Sequence, residues 1–205
     1  MRKELYPQFD LVVRFLKLSG VPILKKEGVE ADDCIGNLVE LLKRTNRIYI
    51  MSSDRDYYQL LSKNVSMLSP DSKSRNRYRL YGISSFVNEY GIKPKQWVDV
   101  GALMGDSSDT IVGIKGIGLK RALSLVKKYG GVKYLLGKRN ALQGSTDCSK
   151  LIMDNRRLVK LAYRLKKIKR KGFLKSELDL SVKLPRITAM RKFQDVHLGD
   201  TYLYY

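Results

Sequence analysis

Residues 31–56 read ADDCIGNLVELLKRTNRIYIMSSDRD, and this stretch decides the fold. Ile35, Leu38, Val39 and Leu42 recur at helical spacing, which predicts an amphipathic helix over Ala31–Arg44. Arg47–Met51 (RIYIM) is short and rich in β-formers, so it predicts a strand. Ser52–Asp56 is then the loop at the strand's C-terminal end. Helix, strand and acidic loop in that order predict an α/β core with a mostly parallel sheet flanked by helices.

Working outward, Asp10–Ser19 predicts a helix with Leu11, Phe15 and Leu18 on one face and Gly20 as its stop. Val21–Leu24 predicts a short strand, and Tyr57–Leu61 begins another helix. Val65–Leu68 and Arg77–Tyr81 predict two strands around the polar turn Ser69–Asn76. Ser84–Tyr90 predicts a helix ended by Gly91, and Pro94 suits the first turn of a helix running to about Met104. Gly113–Gly118 is a glycine-punctuated turn, followed by a helix over Leu119–Tyr129. Lys150–Ile168 predicts one long helix, with Leu158, Leu161, Ala162, Leu165 and Ile168 as its apolar stripe. Arg157, Lys160, Arg164 and Lys167 lie off that stripe. The expected division is an α/β core over residues 1–90 and a helical region over 91–205.

Forty Lys and Arg against twenty Asp and Glu give a net charge of +20. A solubility charge on a small domain is usually about 2–8 in magnitude, so the excess points to a polyanion, nucleic acid before an anionic membrane surface. Half of the residues from Arg156 to Lys175 are Lys or Arg, and none is acidic. No apolar run approaches the roughly 20 residues that span a bilayer. Glu4, Gln8 and Asp10 break any signal-like stretch behind Arg2 and Lys3, so the reading is of a soluble intracellular chain. Cys34 and Cys148 form no CxxC pair, and His197 is the single histidine. A Cys/His zinc site is thereby excluded; Cys34 reads as a small buried residue and His197 as surface or packing.

The carboxylates, by contrast, are grouped: Glu30-Ala-Asp32-Asp33, Asp54-Arg-Asp56 and Asp106-Ser-Ser-Asp109. Each group has an ordinary explanation. Asp32 and Asp33 favour the positive end of a helix, Asp54 could cap the helix after it, and Asp109 could close a turn. Together they sit at strand-to-helix or helix-to-turn junctions, where open α/β sheets bind ligands. Acids converging on one rim repel unless hard divalent cations join them. Two such ions roughly 3.5–4 Å apart can drive phosphodiester hydrolysis.

The segment DTIVGIKGIGLKR (109–121) joins two helices. Gly113, Gly116 and Gly118 permit a tight turn and close approach. Amides at the start of the next helix, with Lys115, Lys120 and Arg121 beside them, suit a phosphate. A packing hairpin is the plain alternative. A dinucleotide-binding glycine motif fails on spacing and on the lack of a preceding strand.

The ordered set Glu-Ala-Asp-Asp, Ser-Asp-x-Asp, and Leu-Met-Gly-Asp-Ser-Ser-Asp running into Gly-Ile-x-Gly-Ile-Gly closely resembles the 5′-nuclease family. That family comprises flap endonucleases, the 5′-nuclease domain of bacterial DNA polymerase I and phage 5′-3′ exonucleases, and the phage and bacterial branch is the nearer. The resemblance runs from about Gly20 to Leu136. It implies that Glu30, Asp32 and Asp33 serve a first metal site, that Asp54 and Asp56 lie between sites, and that Asp106 and Asp109 serve a second. It implies two Mg²⁺ or Mn²⁺ ions as cofactors. It also implies a helix–three-turn–helix, Gly113–Gly118, that grips the DNA backbone and can hold K⁺. The substrate implied is DNA with a 5′ flap or 5′ end, in a bacterial or phage-infected cytoplasm, with no membrane partner. Arg157, Lys160, Arg164 and Lys167 join the expected DNA contacts.

The family's opening strand with an Asp-Gly-Asn-like motif, a second Asp-bearing strand and a basic helical arch have no counterpart in these 205 residues. The expectation drawn from this is the larger subunit of a split nuclease, with a small protein partner supplying the missing part. A non-catalytic DNA-binding paralogue and an RNA-cleaving relative are the alternatives, and a truncated fragment is a further explanation.

Overall fold

The computed structural model describes residues 6–74, 77–137, 148–170, 172, 181 and 183–197. The chain forms two compact units, Met1–Cys34 with Phe173–Tyr205, and Ile35–Gly172.

In the first unit, α1 (Tyr6–Leu18) packs on α9 (Ile187–His197). Phe15 meets Phe193 with ring centroids 5.8 Å apart, and the guanidinium of Arg14 lies 5.8 Å over the same Phe193 ring. Backbone N–H groups of Lys183 and Arg186 donate to the carbonyls of Gly20 and Leu18, which fastens the two chain segments together. The strand expected over Val21–Leu24 does not form. Among the described residues, 21–26 have no ladder partner, and Val21 and Ile23 are exposed.

The second unit contains the sheet and the main core. α2 (Ala31–Leu42), whose first turn is counted with the first unit, leads to β1 (Ile48–Met51), which pairs in parallel with β2 (Val65–Pro70). β2 pairs antiparallel with β3 (Tyr78–Tyr81), giving the order β1-β2-β3. The α/β class is as expected; the sheet is small, with one pairing of each sense among the described residues. The helix expected from Tyr57 is a 3₁₀ turn, Arg55–Leu60, buried from Tyr57 to Leu60.

After α3 (Ile83–Tyr90) the chain turns at Gly91, in the left-handed region at φ 64°. Pro94 opens a 3₁₀ turn, Pro94–Gln96, that runs into α4 (Trp97–Met104). Tyr58, Tyr81, Phe86, Tyr90 and Trp97 form one aromatic cluster, with Tyr58 stacked on Tyr81 at 4.8 Å and edge-on to Trp97 at 5.4 Å. Such pairs contribute about 0.5–1.5 kcal/mol each beyond burial. The cluster fixes α4 against the Arg55–Leu60 turn; Asp56 lies on that turn, and Asp106 and Asp109 lie on the loop that follows α4.

α5 (Leu119–Tyr129), α6 (Val132–Gly137), α7 (Cys148–Asp154) and α8 (Arg156–Lys166) complete the unit. The single helix expected over Lys150–Ile168 is interrupted at Asn155. Its side-chain amide donates to the Leu151 carbonyl, and its own carbonyl accepts from Val159. A side chain that satisfies the end of one helix while its backbone starts the next makes a corner.

The face of α8 also differs from the expected stripe. Val159, Ala162 and Lys166 are buried, whereas Leu161 and Leu165 are 54% and 59% exposed. The stripe is rotated by about one residue, because a lysine belongs to the inner face. In the basic run after α8, residues 171 and 173–180 lie outside the described residues.

Candidate metal centre and nucleic-acid face

Asp54 ends the loop after β1, and its carboxylate accepts the Asp56 N–H at 2.8 Å, starting the 3₁₀ turn. That is the capping role its position suggested, and it fixes the direction of Asp56. Asp106 and Asp109 come from the other side. α4 stops at Gly105, φ 77°, and residues 106–111 close as a loop in which Asp106 and Ile111 exchange both backbone hydrogen bonds.

The loop is held by contact of bare backbone. A Cβ on Gly113 would lie 2.0 Å from the Met104 carbonyl oxygen, and one on Gly105 would lie 2.3 Å from the Gly113 nitrogen. Only glycine at both places lets the chain cross itself there. Ser108 donates its N–H and Oγ–H to Asp106 Oδ1, leaving Oδ2 directed into the site.

Asp56, Asp106 and Asp109 each offer an oxygen within 4.8 Å of the others, the one such acidic group among the described residues. Together with Asp54 they line an open cleft of about 1050 Å³. Oxygen donors of this number and kind suit a hard divalent cation.

The sequence reading missed the group at the centre of this cleft. Lys166 Nζ lies 2.5 Å from Asp106, 2.7 Å from Asp56 and 3.1 Å from Asp109, with its side chain 4% exposed. Burial opposes its charge, but its hydrogen bonds to Asp106, Asp56 and Asp109 outweigh burial and hold the ammonium protonated above the ordinary lysine range. Three carboxylates share one ammonium, and they do not share it equally. Burial pushes Asp56 up to about 6 against the pull of Lys166. Hydrogen bonds from Lys166 and Ser108 lower Asp106 to about 2.

Buried Gln59 sets the height of Lys166. Its Nε2 donates to the Lys166 carbonyl at 2.9 Å, and its Oε1 accepts the Ile168 N–H at 3.1 Å. Nothing in local spacing announces Gln59 or Lys166, since their side-chain partners are at least 57 residues away.

Glu30, Asp32 and Asp33 belong to the first unit. Glu30 is exposed, and its carbonyl accepts from Cys34. Asp32 accepts the Asp33 N–H at 2.7 Å, and Asp33 is 5% exposed at the start of α2. Burial, then the charges of Asp33 and Asp32, raise the Cys34 thiol, so Cys34 is the inert buried residue expected.

The glycine hairpin has an inner and an outer side. Ile114 and Ile117 are buried, and Gly113 packs on Met104. Lys115, Gly116, Gly118, Lys120 and Arg121 are exposed. Gly116 takes φ 85°, Gly118 precedes the first turn of α5 with nothing within 4 Å of a Cβ built on it, and Arg121 donates to the Gly116 carbonyl at 2.9 Å. Bare amides at a helix start, with cations beside them, form a ready phosphate site. On α8, Arg157, Lys160 and Arg164 are exposed, as is Lys167 just beyond it.

Residues 1–91 match the family described as 5′-3′ exonuclease, N-terminal resolvase-like domain, and residues 92–188 match 5′-3′ exonuclease, C-terminal SAM fold. The chain is 41% identical to a 5′-3′ exonuclease of Bacillus subtilis over 65% of its length and 45% of that protein. It is 30% identical to the one of Aquifex aeolicus over 93% of its length and 64% of that protein. The chain thus spans about half to two thirds of the length of these two relatives.

Among solved structures, a metal co-crystal of a bacteriophage T5 protein superposes with a TM-score of 0.67 at 25% identity, covering 82% of this chain and 64% of that one. The T5 flap endonuclease in a pseudo-enzyme–product complex with DNA and metal ions gives 0.61 at 25% identity, covering 71% and 52%. The catalytic core of Rad2 with DNA shares the fold at 0.64 and 17% identity, over 95% of this chain and 65% of that one. On these matches, which between them run from residue 1 to residue 188, the chain belongs to the 5′-3′ exonuclease family.

Proposed function

We propose that this chain carries the metal-binding and DNA-gripping part of a structure-specific 5′-nuclease that cuts DNA near a 5′ flap or end. The observation that carries this reading is the convergence of Asp56, Asp106 and Asp109 in one cleft with Asp54, in the unit that also bears the exposed glycine hairpin. The family likeness extends the proposed ligand residues to Glu30, Asp32 and Asp33, and the proposed cofactors are two Mg²⁺ or Mn²⁺ ions. The Gly113–Gly118 turn would take the phosphate backbone and a K⁺ ion.

When bound, the metal ions supply Lewis-acid stabilisation and an activated water. The protein's own part is positional. Asp54 orients Asp56, Ser108 orients Asp106, and the exposed amides and cations near Gly118 and on α8 hold the phosphates without reading bases.

The split-subunit reading is supported by β1. Among the described residues it pairs on one side only, and Tyr49 and Met51 on it are 55% and 65% exposed. A strand from a small partner chain would cover that edge. The family likeness suits a bacterial or phage-infected cytoplasm.

The test is cleavage of end-labelled 5′-flap DNA in Mg²⁺, alone and with a polypeptide carrying the family's Asp-Gly-Asn strand and arch, beside an RNA flap. Cleavage with the partner that D106N abolishes supports the reading. Absence of cleavage under both conditions sinks it. One observation favours a second reading, a DNA-binding paralogue without catalysis: Lys166 already neutralises part of the acidic cluster. Flap binding that falls steeply with salt and is indifferent to D54A would identify it.

A further inference from the structure

The three acids that could hold a metal ion are the three that Lys166 holds. A cation bound at the centre of Asp56, Asp106 and Asp109 would need the space and the lone pairs that the ammonium takes. Two cations in that space would also repel each other in a partly desolvated site.

Nor is Lys166 a surface lysine folded inward at random. Its backbone carbonyl is pinned by buried Gln59, as is the N–H two residues on. Its stem runs across Gly101, where an added Cβ would stand 3.4 Å from Lys166 Cε. Val159 and Ala162 pack the same face of α8 into the core, so the lysine's direction is set by the helix itself. Helix register, clamp and glycine groove all deliver one ammonium to one point.

We propose that Lys166 is a resident cation that competes with divalent metal for the Asp56–Asp106–Asp109 cluster, so that this cluster takes a metal ion only when the lysine is withdrawn or removed. The inference rests on the reading of the cluster as a metal centre. It adds that the centre carries its own occupant, which sets how tightly metal is held. In the absence of metal the lysine keeps the three acids together; in its presence the lysine is the rival ligand.

Mn²⁺ binding to the full chain, measured by calorimetry and by electron paramagnetic resonance of the free ion, tests this in wild type, K166M and K166Q. The glutamine variant keeps a polar side chain in case methionine disturbs the packing. Both variants are expected to bind Mn²⁺ at the cluster on the order of tenfold more tightly than wild type, with the gain lost when D106N is added. Equal or weaker affinity in both variants overturns the proposal while leaving the metal centre intact. No binding at the cluster in any of the three overturns both.

Wild type alone gives a second measurement that needs no variant to fold. Reductive methylation mapped by mass spectrometry is run with and without Mn²⁺. Lys166 guarded with the cluster empty of metal and exposed as the cluster fills supports competition. Mn²⁺ bound at the cluster with Lys166 still guarded overturns it.

Discussion

The cleft wall and the basic rim use the same residue types for opposite ends. At the wall, glycine and lysine are enclosed: Gly105 and Gly113 touch backbone, and Lys166 is surrounded by carboxylates. At the rim, Gly118 faces open space, and Lys120, Lys160 and Arg164 face solvent. A net charge of +20 is therefore two populations. The exposed cations make the surface field that would attract a polyanion, while Lys166 is an internal counterion. Substitutions at the wall should cost folding, and substitutions at the rim should cost ligand.

The sharpest test of that contrast is a pair of alanines. Gly113→Ala puts a Cβ 2.0 Å from a backbone carbonyl with no flexible atom to give way. A loss of about 4 kcal/mol is expected, at the upper end for point mutants. Gly118→Ala has room and a φ of −90°, so its stability should stay within about 0.5 kcal/mol. Urea midpoints decide it. Equal midpoints for the two variants would erase the distinction between wall and rim.

Lys166→Met is the next largest. It leaves three clustered, partly exposed carboxylates without their ammonium, and leaving such hydrogen-bonding groups unpaired costs about 1–3 kcal/mol. The expected result in EDTA is a lower midpoint than wild type, recovered when Mn²⁺ is added. A metal-free midpoint unchanged from wild type would mean that Lys166 contributes no more than a surface cation.

Asp56 gives an effect of intermediate size with a defined sign. Its folded value, about 6, lies above the ordinary aspartate value near 3.9. Between those values the folded chain holds more protons than the unfolded one, so this group lowers stability as pH rises through the window. Asp106, lowered to about 2, acts oppositely. Its contribution is complete above about pH 4 and is lost as pH falls toward 2. Asp56→Asn should therefore remove a decline between about pH 4 and 6 in EDTA without altering the acid limb. A decline that persists in the variant would assign it to another group.

These contrasts also explain what was legible beforehand. The RIYIM strand and the acids behind it could be placed because strand propensity and junction position are local signals. The hairpin could be read because three glycines in six residues are unusual enough to demand a turn. Lys166 could not. An amphipathic reading assigns every lysine to water, which draws the stripe through Leu161 and Leu165 and turns the helix by about one residue from its observed face. The corner at Asn155 was hidden for a related reason, since a side chain that closes one helix onto its own backbone leaves the apolar spacing intact. The sheet's mixed sense turned on the β2–β3 return, which strand propensity alone does not orient.

The smallest effect on folding is expected on the outer face of α8. Arg157, Lys160 and Arg164 are exposed, and their alanine variants should each change stability by less than about 0.5 kcal/mol. If this face meets the DNA backbone, each loss of a phosphate contact should weaken flap binding similarly for every sequence and lower the salt slope by about 1. Lys167, whose ammonium sits 5.9 Å over the Tyr163 ring, is the internal comparison. It is just as exposed but already engaged, so its alanine variant should move the slope less than R164A does. Titrations of a 5′-flap duplex at several salt concentrations measure all four. Slopes identical to wild type in all of them would confine the grip to the glycine hairpin and leave the basic helix as solvated surface.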